Sequence, residues 1–104
     1  MAMEITNCIA IGVSDRDAAE KFYTEVLGFE IGEKGDDWTE VLAGPLRLYL
    51  CNDDMAYCMA VNVDDPFTTA GLLEAQGCER LFESKGEVFV RDPFGTNWCL
   101  SPKT

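Results

Sequence analysis

The chain has 104 residues, 47% of them hydrophobic and 26% charged, with a formal net charge of −11. That length supports one modest core, and the acidity excludes nucleic acid, whose phosphates need a basic patch. No apolar run approaches the ~20 residues of a membrane span, and the opening MAMEITNCIAIGV has neither a basic region nor a small-residue cleavage site. A cytoplasmic protein is therefore expected, with its five cysteines reduced.

The first strand lies in NCIAIGV. Alternation puts Cys8, Ala10 and Gly12 on one face and Ile9, Ile11 and Val13 on the other. Ser14 or Asp15 can cap a helix that ends at Gly28, with Ala18, Phe22 and Val26 as its apolar face. Three strand-like segments follow, Glu30–Glu33, Trp38–Ala43 and Leu46–Cys51, punctuated by Gly35-Asp36-Asp37 and Gly44-Pro45.

The second half repeats the scheme. Strand Cys58–Val63 leads through Asp64 and Asp65 to Pro66, which opens a helix ending at Gly77. Segments Arg80–Glu83, Glu87–Arg91 and Asn97–Ser101 come next, separated by Lys85-Gly86 and Asp92-Pro93-Phe94-Gly95. Aligning Val13-Ser14-Asp15 with Val63-Asp64-Asp65 sets Cys8 opposite Cys58, and matching Gly44 with Gly95 sets Leu48 opposite Cys99. The expectation is an α+β chain, a single domain over 1–104, built as two tandem βαβββ modules at about 3–52 and 56–102. Cys58, Ala60 and Asn62 share one strand face, as do Asn97, Cys99 and Ser101, and Trp38 and Glu40 share another.

Val13-Ser14-Asp15, Ala18-Ala19, Phe22-Tyr23 and Leu27-Gly28-Phe29 resemble the opening signature of the vicinal oxygen chelate superfamily. That group includes glyoxalase I, bleomycin-resistance proteins and extradiol dioxygenases. Val90-Arg91-Asp92-Pro93-Phe94-Gly95-Thr96-Asn97 resembles its DP-x-G-N turn before the last strand. The resemblance implies a curved mixed sheet around a cavity, a homodimer, and four metal ligands on four strands. Those positions fall on Cys8, Cys58, Cys99 and, by the repeat, Leu48, in a chain without histidine. No hard oxygen-and-imidazole site for Mg²⁺, Mn²⁺, Fe²⁺ or Ni²⁺ can be assembled from them, which argues against ordinary glyoxalase I and extradiol dioxygenase activity.

Three readings of Cys8, Cys58 and Cys99 stay open. They are small buried hydrophobes filling the space of a lost metal; or thiolates holding a soft ion such as zinc, copper(I), cadmium, mercury or trivalent arsenic; or a catalytic or redox thiol. Cys51 and Cys78 read as structural, and Asn52-Asp53-Asp54 as a solvated loop. Trp38 and Glu40 are expected at the cavity mouth, where the indole stacks on a flat ligand or cation. Asn62, Asn97 and Ser101 supply the cavity's hydrogen bonds. The leading expectation is a protein that binds a small molecule, in the manner of the resistance or sequestration branch, with the acidity favouring a cationic ligand. The alternative is a lyase, isomerase or dioxygenase using a thiolate-bound metal or a catalytic cysteine.

Overall fold

The computed structural model describes residues 3–53 and 56–103; of the expected acidic loop, Asp54 falls outside them. Two compact units emerge: Asn7–Tyr57, the first module, and Cys58–Thr104 together with Met1–Thr6, the second. Each is a βαβββ unit, so the α+β class and the repeat are as expected.

In the first module, β1 (Glu4–Gly12) pairs in parallel with β4 (Leu46–Cys51), which pairs antiparallel with β3 (Trp38–Ala43), which pairs with the edge strand β2 (Glu30–Lys34). The helix α1 (Arg16–Lys21) is capped by Asp15, whose carboxylate accepts the Ala18 N–H at 3.0 Å. It widens into a π-helical turn over Phe22–Val26 and stops at Gly28, whose φ of 80° suits glycine alone. The expected apolar face is not the packed one: Ala18, Phe22 and Val26 are all exposed, and Ala19, Glu20, Tyr23 and Thr24 are the more covered residues. The reason is a polar contact. Glu20 turns inward to accept the hydroxyl of the fully buried Thr39 and to pair with Lys34 at 2.9 Å. Those partners, Thr39 foremost, hold the Glu20 carboxyl below its ordinary value.

The second module orders its strands β5 (Cys58–Val63), β8 (Asn97–Pro102), β7 (Glu87–Arg91) and β6 (Glu79–Ser84). Pro66 opens α2 (Pro66–Ala75) as its first residue, and Asp65 caps it by accepting the Phe67 and Thr68 N–H groups. Val61, Val63, Val88, Val90 and Leu100 project from the sheet onto Ala70, with Leu73 and Trp98 packed around them. Each of the named buried aliphatics is at most 1% exposed, so this is where the hydrophobic term concentrates. The DP-x-G turn locks the last strand: Asp92 accepts the Phe94 and Thr96 N–H groups and, at 3.0 Å, the Trp98 indole. The Trp98 bond, with the backbone donors behind it, holds the Asp92 carboxyl below its ordinary value.

Candidate functional site

Strand alternation gives the strands of each module one face toward their helix and one opposite. In the first module the opposite face carries Cys8 and Ala10 from β1, Trp38, Glu40 and Leu42 from β3, and Arg47, Tyr49 and Cys51 from β4. Trp38 and Glu40 thus share a face as expected. Leu48 does not join them. It pairs with Ile9 and Val41 and lies on the helix side, and the residue paired with Ala10 is Tyr49. The corresponding pair in the second module is Ala60 with Cys99, so Tyr49, not Leu48, is the counterpart of Cys99. The cause is turn length. Two residues, Gly44 and Pro45, join β3 to β4, whereas Asp92 through Thr96 join β7 to β8. Aligning the two glycines displaces the register by one, and one residue reverses the face of a strand.

Glu40 is the centre of this face. It is 5% exposed, yet both oxygens of its carboxylate are engaged: Oε1 accepts the Glu33 N–H at 3.1 Å, and Oε2 accepts the Tyr49 hydroxyl at 3.1 Å and forms an ion pair with Arg47 Nε at 3.0 Å. These donors, Glu33 first, outweigh burial and hold the Glu40 carboxyl below its ordinary value. Burial first, and then the bond to Glu40, push the Tyr49 phenol up to about 12. The guanidinium of Arg47 sits beside Tyr49, Glu40 and Cys8 and keeps its charge. The Trp38 ring meets Tyr49 edge-on, with centroids 5.7 Å apart.

Two glycines, one in β2 and one just after it, admit these side chains. A Cβ on Gly32 would lie 2.2 Å from Glu40 Oε1, and one on Gly35 would lie 2.0 Å from the Trp38 indole nitrogen. The carboxylate and the indole therefore occupy volume that any other residue there would fill. Arg47, Tyr49, Gly32 and Gly35 were not among the residues singled out from sequence. Continuing the alternation of Trp38 and Glu40 across the Gly44-Pro45 hairpin would have reached Tyr49, the partner of Glu40.

In the second module the opposite face carries Cys58, Ala60 and Asn62 from β5, Asn97, Cys99 and Ser101 from β8, and Glu87, Phe89 and Arg91 from β7. All the residues expected on it are there. Cys58 is fully buried, and Cys99 is 5% exposed and pairs with Phe89. Phe89 stacks on Phe82 with centroids 4.4 Å apart and 15° between planes. Asn97 accepts Arg91 Nε at 2.9 Å, and Ser101 donates to Glu87 at 2.5 Å and stands 3.6 Å from the Cys99 sulfur. Apart from these faces, Cys78 has its thiol pushed up by burial and by the charge of Asp92.

At the places corresponding to the expected ligands, the first module has the Cys8 thiol and the Tyr49 phenol and the second has the Cys58 and Cys99 thiols, with no imidazole in the chain. Among the described residues, no three His, Cys, Asp or Glu side chains are grouped as metal ligands. Glu40, the buried carboxylate on the first module's face, already accepts two hydrogen bonds and pairs with Arg47. This set does not fit a hard divalent ion. No helix among the described residues is long and apolar enough to cross a membrane.

The sequence profile described as the Glyoxalase/Bleomycin resistance protein/Dioxygenase superfamily matches residues 5–64, more than half of the chain. No curated protein matches at the sequence level. Among solved structures, a member of the same superfamily from Vibrio splendidus 12B01 is similar over 98% of this chain and 100% of its own, with a TM-score of 0.67 and 16% identity. A hypothetical protein from Bacillus halodurans C-125 aligns over 100% of this chain and 96% of its own, with a TM-score of 0.70 and 12% identity. Homoprotocatechuate 2,3-dioxygenase from Arthrobacter globiformis aligns over 97% of this chain and 37% of its own, with a TM-score of 0.59 and 24% identity. At such identities the likeness is one of fold.

Proposed function

The chain belongs to the glyoxalase/bleomycin resistance protein/dioxygenase superfamily, and from that premise we propose that it binds a small organic ligand without a hard divalent ion, in the manner of a resistance or sequestration protein. The observation that carries this reading is the state of Glu40. A carboxylate buried at the centre of a concentrated polar cluster, and engaged by Glu33, Tyr49 and Arg47, fixes neighbouring side chains instead of binding a cation itself. Rigid, hydrogen-bonded polar groups beside aromatic surface are what a ligand site needs, since their orientation costs nothing at the moment of binding. A homodimer, which the family resemblance implies, belongs to the same proposal.

A second reading is favoured by Cys58 and Cys99. They share one face of one module and are both buried, and thiolates suit copper(I), zinc, cadmium or trivalent arsenic. An enzyme acting through a thiolate-held metal would require this reading.

Native mass spectrometry of the anaerobic protein, with and without zinc, copper(I), cadmium and arsenite, separates the two. The proposal expects a bare chain whose mass is unchanged by the ions and whose oligomeric state is two. One ion retained per chain, lost in Cys58→Ser and Cys99→Ser but kept in Cys51→Ser and Cys78→Ser, would overturn it in favour of the thiolate site. The Cys8→Ser variant then reports whether a third sulfur takes part.

A further inference from the structure

Arg47 is held in an unusual way for a surface arginine. Its side chain is 48% exposed, yet its Nε is tied at 3.0 Å to a carboxylate only 7% exposed. That carboxylate is in turn anchored by a backbone N–H and a phenol. A guanidinium held beside that carboxylate and still half exposed offers a planar array of donors, the kind that matches a carboxylate or phosphate. Cys8 flanks the guanidinium, and the Trp38–Tyr49 pair supplies ring surface on the same face. The Tyr49 hydroxyl donates to Glu40, so its oxygen retains accepting capacity but offers no second proton. Among the described residues on this face, Arg47 is the one cationic side chain.

We propose that Arg47, with Trp38 and Tyr49, forms a subsite for a flat organic anion, its carboxylate on the arginine fork and its ring against the two aromatic side chains. The inference rests on the reading that the first module's open face takes a small organic ligand, and it names the chemical class. It also replaces the cationic ligand expected from overall charge. That expectation rested on overall acidity, whereas on this face the buried carboxylate, Glu40, is already paired with Arg47. The net charge of −11 acts at long range and is screened beyond about 8 Å at physiological salt, so the local guanidinium decides which charge is held. Glu40 and Gly32 act here as positioning residues: the glycine lets the carboxylate in, and the carboxylate holds the guanidinium beside it by charge.

The test is a charge series on one ring system: 2-naphthoate, 2-naphthamide and 2-naphthylmethylammonium. Binding is read from the two indole N–H resonances, because Trp38 lies on this face while Trp98 is tied to Asp92 in the other module and serves as the internal control. Naphthoate is expected to shift the Trp38 signal saturably, with a dissociation constant on the order of 1 mM for a probe of this size. The amide should bind at least about tenfold more weakly and the cation not measurably. Arg47→Met should weaken naphthoate about tenfold, and Arg47→Lys, which keeps the charge and loses the fork, by less. Should Arg47→Met fail to fold, as an altered Trp98 signal would reveal, the lysine variant and the charge series still decide. Binding of the cation as tight as that of the anion, or naphthoate affinity indifferent to Arg47, overturns the anion subsite while leaving the ligand-binding reading standing. Absence of binding by all three probes overturns both.

Discussion

Tyr49 and Cys99 hold equivalent places, each paired in parallel with an alanine two residues beyond the cysteine of its module's first strand. Around Tyr49 the first module gathers Glu40, Arg47 and Trp38, and around Cys99 the second gathers Phe89, Phe82 and the buried Cys58. The antiparallel partner is Glu40 in one and Phe89 in the other. The edge strand follows suit: Gly32 of β2 and Gly35 just after it leave room for a carboxylate and an indole, whereas β6 offers Phe82, which fills the same kind of space with a ring. One backbone plan has been given a hydrogen-bonded centre in one copy and an apolar one in the other. The polar copy is the one with directed donors, and a duplicated scaffold can specialise one half for recognition without altering the strand order of either.

The glycines give the strongest way to break that contrast. Gly35→Ala puts a methyl within 2.3 Å of two indole atoms of Trp38, and a rigid ring cannot yield without leaving its contact with Tyr49. Gly32→Ala meets the end of the Glu40 side chain, which can move only by giving up the Glu33 and Tyr49 bonds and the Arg47 ion pair. Overpacking of this kind costs about 1–3 kcal/mol, and denaturant unfolding should place both variants in that range, with Gly35→Ala the larger. Stability equal to wild type would mean that β2 yields and that the polar centre is not held by it.

Phe82→Ala probes the other half with a smaller effect. Phe82 is 41% exposed, so its removal forfeits mainly the stacked pair with Phe89, about 1 kcal/mol. The first module's Trp38 and Tyr49 signals should not respond.

How much of this the amino-acid sequence discloses differs between the halves. Strands with clean alternation and glycine or proline punctuation, such as Trp38–Ala43 and Glu87–Arg91, have in the structure the limits their pattern implies. So does the Asp65–Pro66 helix start. The face of α1 was not readable, because the inward residue is a glutamate whose partner, Thr39, lies nineteen positions away, and periodicity registers apolarity alone. Leu48 was misplaced because a glycine marks a turn without stating its length, and register in a sheet depends on that length. Arg47 escaped for a related reason: its role comes from a buried carboxylate across the hairpin, and a lone arginine in a strand reads as solvated surface.

The smallest effect in stability is the sharpest in chemistry. Tyr49 is held neutral up to about 12, against 10.0 for an ordinary phenol, by burial and by donating to Glu40. A group whose folded value is raised contributes stability that is fully present below the unfolded value and is lost as pH climbs through the folded one. Between pH 10.0 and about 12 the unfolded chain releases this proton while the folded chain keeps it, so stability should fall across that window. Tyr49→Phe should flatten that decline, and the tyrosinate absorbance of wild type minus Tyr49→Phe should titrate near 12. Because burial is the leading cause and the Glu40 bond the second, Glu40→Gln should lower the midpoint without returning it to 10.0. A difference curve centred at 10.0 would show that the phenol is neither buried nor bonded as described. The Glu40–Tyr49–Arg47 cluster, and with it the contrast between the two modules, would then have to be redrawn.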